Sequence, residues 1–202
     1  MKIENTQVYG LENAIRCAKF PMTTKPELMT CELTKGIKKL GHAAIGSGHD
    51  NMLNGIIVQF DLTSSLKFNT EWQRYHFADY ISSCSTIHCI TKFDLRQQCN
   101  KYVDPRIIDI LQEKVNRYNQ LVEYDKENEP NNERTAAIKE LYLEILYNVP
   151  TGFELTAGIT TNYRQLKTIY YQRRHHKLPE WHIICDWIEN LPNFRELCLE
   201  EK

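Results

Sequence analysis

SGHDNMLNGIIVQFDLTSSLKFNTEWQRYH, residues 47–76, carries three kinds of chemistry in one short span. Ser47, Gly48 and His49 are small or polar, and a glycine there breaks any helix arriving from the N-terminal side. From Gly55 to Thr63 the run begins apolar, with β-branched residues early, and then alternates, which predicts a strand buried on one face. Residues 66–74 return to helical spacing. The span closes on Glu71-Trp72-Gln73-Arg74-Tyr75-His76, mixed charges and aromatics at a strand–helix–loop transition. Such a set suits a nucleotide pocket, where stacking and charge-assisted hydrogen bonds share the task. Taken alone, it better suits an amphipathic helix with Trp72 in the core and the rest solvated. The small residues before the strand let backbone approach a ligand, or serve as an ordinary connection.

On the N-terminal side, Leu11, Ala14, Ile15 and Ala18 predict a short helix over residues 10–20, ended by Pro21. Ile37, Leu40, Ala44 and Ile45 predict another over 33–45. On the C-terminal side, residues 79–90, rich in Ser, Cys and Thr, read as loop with short extended pieces. Asp104-Pro105 is a helix start, an Asp N-cap with proline at the first helical position. The helix it opens runs to about Tyr124, and the polar 125–134 segment turns at Pro130-Asn131-Asn132. Further helices are expected over 133–147, 160–174 and 179–191. No internal repeat or long linker interrupts the chain. The expected class is α+β, one domain over residues 1–202 with a helical elaboration at about 100–148.

Composition bounds the function classes. Hydrophobic residues are 42% and charged residues 25% of 202, an ordinary globular balance. The formal net charge of −1 provides no whole-protein field toward nucleic acid or anionic lipid, so phosphate recognition must be local. The seven cysteines are odd in number and include no C-x-x-C pair, which suggests reduced, mostly buried thiols. Neither a signal-peptide h-region nor a membrane-length apolar run is present, so a cytoplasmic protein is expected.

In the 160–174 segment, TTNYRQLKTIYYQRR, the apolar side is Tyr163, Leu166, Ile169 and Tyr170. On one continuous helix Asn162 and Arg173 would fall within roughly 20° of each other, at the inner margin of that side. Polar groups held there need partners. A ligand phosphate or ring carbonyl would serve, as would a carboxylate for Arg173 and a capping role for Asn162. Arg173-Arg174-His175-His176-Lys177 follows; it complements the helix dipole and also offers donors for a phosphate. Adjacent His175 and His176 diverge on a helix and make no metal site.

Together these segments resemble the flavin-dependent thymidylate synthases. Ser47-Gly48-His49-Asp50 is similar to that family's Ser-Gly-His-Glu turn, and a strand follows. Thr70-Glu71-Trp72-Gln73-Arg74-Tyr75-His76 then resembles its Arg-Gln-Trp-x-Arg-His-Arg segment, without a gap. Asn162-Tyr163-Arg164-Gln165-Leu166 through Gln172-Arg173 resembles its Asn-Ala-Arg-x-Leu…Leu-Arg helix, and Trp181 has a counterpart. The resemblance covers roughly 10–20, 40–90 and 145–190. It implies a sheet flanked by helices, a homotetramer with FAD at subunit interfaces, and a dUMP-like pyrimidine deoxynucleotide as substrate. Methylenetetrahydrofolate would supply the carbon and NADPH the reducing equivalents; no metal is implied. By position it assigns His49, Asn51, Asn54, Arg74, Tyr75, His76, Asn162, Thr168, Gln172, and His176 or Lys177 to the cofactor. Glu71, Arg74, Ser82, Cys84, Ser85 and Arg173 fall to the substrate, with Arg74 and Arg173 nearest the chemistry.

The departures fall mainly on the nucleotide half. Tyr75 and His76 stand for the family's His-Arg, Cys84 for a serine and Ser82 for a glutamate. Thr86, and Leu146 or Tyr147, stand for two phosphate-binding arginines. Each such charged hydrogen bond contributes about 1.5–3 kcal/mol, so weaker nucleotide binding is expected unless Arg96, Arg106 or the 173–177 cluster compensates. The readings are therefore a divergent one-carbon transferase, a flavin- or nucleotide-binding or interaction protein on the same fold, and, least supported by the charge, a nucleic-acid binder.

Overall fold

The run that reads as a strand is one: in a computed structural model describing residues 1–199, β2 spans Ile57–Ser65. Val58, Phe60, Leu62 and Ser64 are buried while the residues between them are half-buried, the period of a sheet covered on one side. Three further strands complete an antiparallel sheet in the order β1-β2-β4-β3, with β1 at Lys2–Tyr9, β3 at Ala78–Ser83 and β4 at Glu154–Asn162. β2 and β4 are central. β1 is a polar edge, and Asn5 enters the left-handed region (φ 52°) with its amide 2.6 Å from Asp61 Oδ2.

Ten helices accompany the sheet among the described residues. In chain order they are α1 Leu11–Cys17, α2 Lys35–Gly41, α3 Leu66–Trp72, α4 Thr86–Cys89, α5 Leu95–Gln98, α6 Pro105–Glu127, α7 Asn132–Tyr147, α8 Tyr163–Arg173, α9 Pro179–Glu189 and α10 Phe194–Cys198. The mixed class and the flanked sheet are as expected. Several boundaries are not. Residues 160–162 belong to β4, so the helix begins at Tyr163; the β-branched run Ile159-Thr160-Thr161 pairs in the sheet rather than coiling. α2 stops at Gly41, leaving Ala44 and Ile45 outside it. The 79–90 segment holds a full strand and a short helix. Pro21 does not end α1; it sits in the 3₁₀ turn Phe20–Met22, after the helix has closed at Cys17.

The chain forms two compact units. One comprises Met1, Thr63–Glu71 and Ser83–Ala157; the other comprises Lys2–Leu62, Trp72–Ser82 and Gly158–Lys202. The boundaries fall inside strands and helices, with no linker composition to mark them.

The first unit is organised on the α6–α7 hairpin. The Asp104 carboxylate accepts from Arg106 N at 2.9 Å and Asn131 caps α7 at 2.8 Å, so both helix starts expected from the sequence are present. Ile108, Leu111 and Val115 of α6 meet Leu141 and Ile145 of α7 over Ile90, Leu95 and Phe153. Lys114 pairs with Glu144 across the hairpin.

The second unit buries Leu53, Ile56, Phe60, Trp72, Tyr163, Leu166, Trp181, Ile184 and Phe194. Trp72 and Trp181 are fully buried and stack at 6.0 Å. At about 25 cal/mol per Å² over roughly 150–250 Å², each such side chain contributes roughly 4–6 kcal/mol before entropy. Gly41 is required where α2 meets α10: a Cβ there would lie 2.1 Å from the Leu197 carbonyl oxygen.

All seven cysteines are free, but only Cys185 and Cys198 are buried; Cys31 and Cys84 are exposed, contrary to the expectation of mostly buried thiols. The short polar turns around Cys31 and Cys84 leave no apolar layer to cover them.

Candidate functional site

The turn following α3 is held rigid by its own backbone. Tyr75 N donates to Trp72 O at 3.0 Å, Ala78 N to Tyr75 O at 3.2 Å, and the Trp72 indole N–H to Ala78 O at 3.2 Å. Thr161 Oγ1 of β4 donates to Phe77 O at 2.7 Å. Trp72, whose mixed-charge surroundings left its role open, is therefore core. Arg74, His76 and Phe77 point outward and are exposed, and Tyr75 is half-buried.

Tyr75 meets the last turn of α8. Arg173 Nε donates to the Tyr75 hydroxyl at 2.7 Å, and that hydroxyl donates to Gln172 Oε1 at 3.1 Å. The Arg173 guanidinium carbon lies 4.7 Å above the Trp181 ring and 5.6 Å from the Tyr75 ring. His176 is edge-on to Trp181 at 6.3 Å; its Nδ1 accepts from Leu178 N at 3.1 Å, which turns the chain into α9. Four sequence-derived site residues, Tyr75, Gln172, Arg173 and His176, are thus brought onto one aromatic platform. Trp181 is itself buried, with Trp72 stacked on it and the Arg173 cation lying over its ring, so what the cluster offers outward is the half-buried guanidinium, held by its attraction to the rings. Lys177 is adjacent in sequence and exposed.

Asn162 sits elsewhere than its helical phase suggested. It is the N-cap of α8, accepting from Gln165 N at 2.8 Å, so it shares no helical face with Arg173 and the capping reading holds for its oxygen. Thr168 Oγ1 donates back to the Arg164 carbonyl at 3.2 Å, the usual satisfaction of a mid-helix threonine.

The turn before β2 is anchored by Asp50, Arg164 and Lys167, none of them among the expected site residues. Asp50 is fully buried; its Oδ1 lies 3.0 Å from Arg164 Nε and its Oδ2 3.4 Å from Lys167 Nζ. Lys167, 2% exposed, also donates to Gly41 O at 2.8 Å and Ala43 O at 2.6 Å. One ammonium therefore ties both ends of the 41–50 segment to α8. The arch between is exposed, with Gly46 and Gly48 at φ 89° and 79° and open space where a Cβ would project. His49 lies on it, and Asn51 and Asn54 follow in the 3₁₀ turn Asn51–Gly55, all three exposed. Lys167 lies four residues after Tyr163 and three before Tyr170, inside the apolar stripe, and that was the available signal for a buried lysine.

At the C-terminal end of α8 and along α9, a groove of about 350 Å³ is lined by Tyr170, Arg174, His175, His182, Asp186 and Glu189, among others. Burial pushes the neighbouring Cys185 thiol up to about 12, helped by Asp186 and Glu189, so it is not a nucleophile at neutral pH.

Other expected substrate residues lie mostly in the first unit. Glu71 pairs with Lys67 at 3.3 Å. Cys84 is exposed, its backbone N–H bonded to Thr156 O at 2.9 Å, and Ser85 caps α4 through His88 N at 3.3 Å. Ser82, in the second unit, is exposed on β3. Thr86 begins α4 and Leu146 packs against the α6–α7 core, so neither supplies charge. Among the described residues no His, Cys, Asp and Glu group is arranged to hold a metal ion, and no helix is long and apolar enough to cross a membrane.

No family model and no curated protein matches the sequence. Solved structures do match in shape. The crystal structure of the flavin-dependent thymidylate synthase ThyX from Helicobacter pylori complexed with FAD and dUMP superposes with a TM-score of 0.67 at 13% identity, covering 99% of this chain and 98% of that one. A second ThyX structure from Helicobacter pylori with FAD and dUMP gives 0.67 at 14% identity, covering 100% of both chains. The fold is that of the flavin-dependent thymidylate synthases. The thymidylate-synthase-like fold spans the whole chain, including the α6–α7 segment that the sequence resemblance left unplaced.

Proposed function

We propose that this protein is a flavin-dependent transferase that moves a one-carbon unit from methylenetetrahydrofolate to a pyrimidine deoxynucleotide, dUMP to dTMP in the simplest form. The observation that carries this reading is the convergence of Tyr75, Gln172, Arg173 and His176 on the Trp181 platform, on a fold whose solved members hold FAD and dUMP.

The residues present fit a flavin. Exposed Arg74 and His76 and the half-buried Arg173 offer donors, and the open backbone at Gly46 and Gly48 admits close approach. A bound flavin supplies the redox chemistry, with NADPH as hydride source. His49, Asn51, Asn54, Arg74, Tyr75, His76, Thr168, Gln172, and His176 or Lys177 are assigned to holding it. For Asn162 the side-chain amide N–H remains for this role, since its oxygen caps α8. Arg173 and Arg74 are assigned to the nucleotide, with Glu71, Ser82, Cys84 and Ser85 as its further contacts. The reading calls on none of these side chains as a covalent nucleophile, so the protein's contribution is positioning and electrostatics. A homotetramer in the cytoplasm is the assembly this reading calls for.

A second reading, a flavin- or nucleotide-binding protein of this fold without turnover, is favoured by neutral Thr86 and Leu146 where phosphate-binding arginines were expected. One experiment separates the two. Purified protein is saturated with FAD, reduced, and mixed with dUMP and methylenetetrahydrofolate, while flavin absorbance and dTMP are followed. Reoxidation with dTMP formation supports the first reading; flavin or dUMP binding without dTMP supports the second; no uptake of either flavin or dUMP refutes both.

A further inference from the structure

We propose that Tyr75 is a positioning residue: its hydroxyl fixes the Arg173 guanidinium over Trp181 in the orientation that meets the nucleotide. This rests on the assignment of Arg173 to the nucleotide above. It adds a role for the phenol that neither composition nor helical phase suggests.

The geometry has three parts. First, the phenol is held independently of any ligand. Its backbone is closed by the Trp72 and Ala78 hydrogen bonds, and its ring is edge-on to Trp72 at 6.5 Å and to Trp181 at 5.8 Å. Second, the hydroxyl is used in both senses, accepting from Arg173 Nε at 2.7 Å and donating to Gln172 Oε1 at 3.1 Å. Consecutive residues at the end of α8 are thereby tied to one rigid atom, and each bond polarises the next. Third, a guanidinium lying on an aromatic face can still slide and rotate in its plane, because the attraction to the ring has little directionality. The bond at Nε adds a directional constraint at that edge of the planar group, alongside whatever else the guanidinium meets. A tyrosine can do this where a phenylalanine of the same shape cannot. An arginine can receive it where a lysine cannot, having a donor at Nε.

The test is a double-mutant cycle with a second, ligand-independent readout. Binding of dUMP to FAD-loaded protein is measured for wild type, Tyr75→Phe, Arg173→Lys and the double variant, with thermal unfolding as the control for folding. Tyr75→Phe is expected to weaken dUMP about tenfold in the wild-type background and to have no further effect in the Arg173→Lys background. Equal losses in both backgrounds, or no loss in either, overturn the proposal. In parallel, ¹⁵N spectra follow the Arg173 Nε–H. It is expected to exchange slowly and to be shifted by the Trp181 ring in the wild type, and to exchange fast in Tyr75→Phe. Fast exchange in both proteins overturns the proposal whatever the binding data. If wild-type protein binds neither FAD nor dUMP while the Arg173 Nε–H is protected only when Tyr75 is present, the functional reading fails and the positioning role stands.

Discussion

Lys167 Nζ and Asp50 Oδ2 lie 3.4 Å apart with both side chains essentially without solvent contact, 2% and 0% exposed. The pair is tolerable because neither group depends on the other alone: the ammonium also meets two carbonyls and the carboxylate also meets Arg164. Removing Lys167 breaks the buried pair, leaving Asp50 with Arg164 alone and the Gly41 and Ala43 carbonyls without that donor, at a cost of about 3–5 kcal/mol. Lys167→Met is therefore expected to destabilise by that amount in urea denaturation. Lys167→Met with Asp50→Asn should recover part of the loss, because the buried position then carries no charge for Arg164 alone to balance.

Asn162 distinguishes a structural from a ligand role within one side chain. Losing the α8 cap costs about 1 kcal/mol, so Asn162→Ala should lower stability by that much. Asn162→Asp keeps the capping oxygen and should restore stability, while removing the amide N–H assigned to the flavin. Equilibrium unfolding and FAD titration of both variants read the two roles separately.

Arg173→Ala should leave the fold intact, because Trp181 and Trp72 remain stacked without it. It should weaken dUMP by the value of a charged hydrogen bond, about 1.5–3 kcal/mol. Unchanged dUMP affinity in a folded variant would remove Arg173 from the site.

Alkaline pH should destabilise the protein through buried thiols and phenols. The Cys185 thiol is raised by burial from its ordinary 9.0 to about 12, and burial raises Cys198 further. Between those values the unfolded chain has lost the Cys185 proton and the native one keeps it, so the unfolded state binds fewer protons and stability falls as pH rises. The contribution is fully present below pH 9 and is lost up to about 12. Cys185→Ala should flatten that limb by at most one proton, about 1.4 kcal/mol per pH unit. At pH 8 a thiol reagent should label exposed Cys31 and Cys84 quickly, and Cys185 and Cys198 only on unfolding.

Gly41→Ala should cost about 1–3 kcal/mol, since the added carbon meets the Leu197 backbone and α2 or α10 must shift. Thermal unfolding measures it.

The long helices were legible because each has a cap and a stripe: Asp104 with Pro105 and Ile108, Leu111 and Val115 announce α6 without reference to any other element. β2 was legible for the same reason, its alternation being a property of neighbouring residues. β1 and β4 were not. Lys2–Tyr9 has only Ile3, Val8 and Tyr9 as non-polar residues and no alternation, and its pairing at the sheet edge makes it a strand. Thr160–Asn162 has no local preference strong enough to resist pairing with β2, so the expected helix lost its first three residues to the sheet.

The candidate site divides along the same line. Local order alone determined that the 70–76 segment and the 172–177 run carry the charged, aromatic and amide groups a nucleotide or flavin needs, and the spacing of those segments indicated the fold. Only the tertiary structure decided which of them meet. Tyr75 and Arg173 are far apart in the chain, and their 2.7 Å contact depends on how the second unit brings the turn after α3 to the end of α8. The same holds for Lys167, whose place in the apolar stripe of α8 signals burial but not its partners, Gly41, Ala43 and Asp50. Helical and strand periodicity are short-range consequences of backbone geometry, whereas partners for buried polar groups are chosen by packing between distant segments.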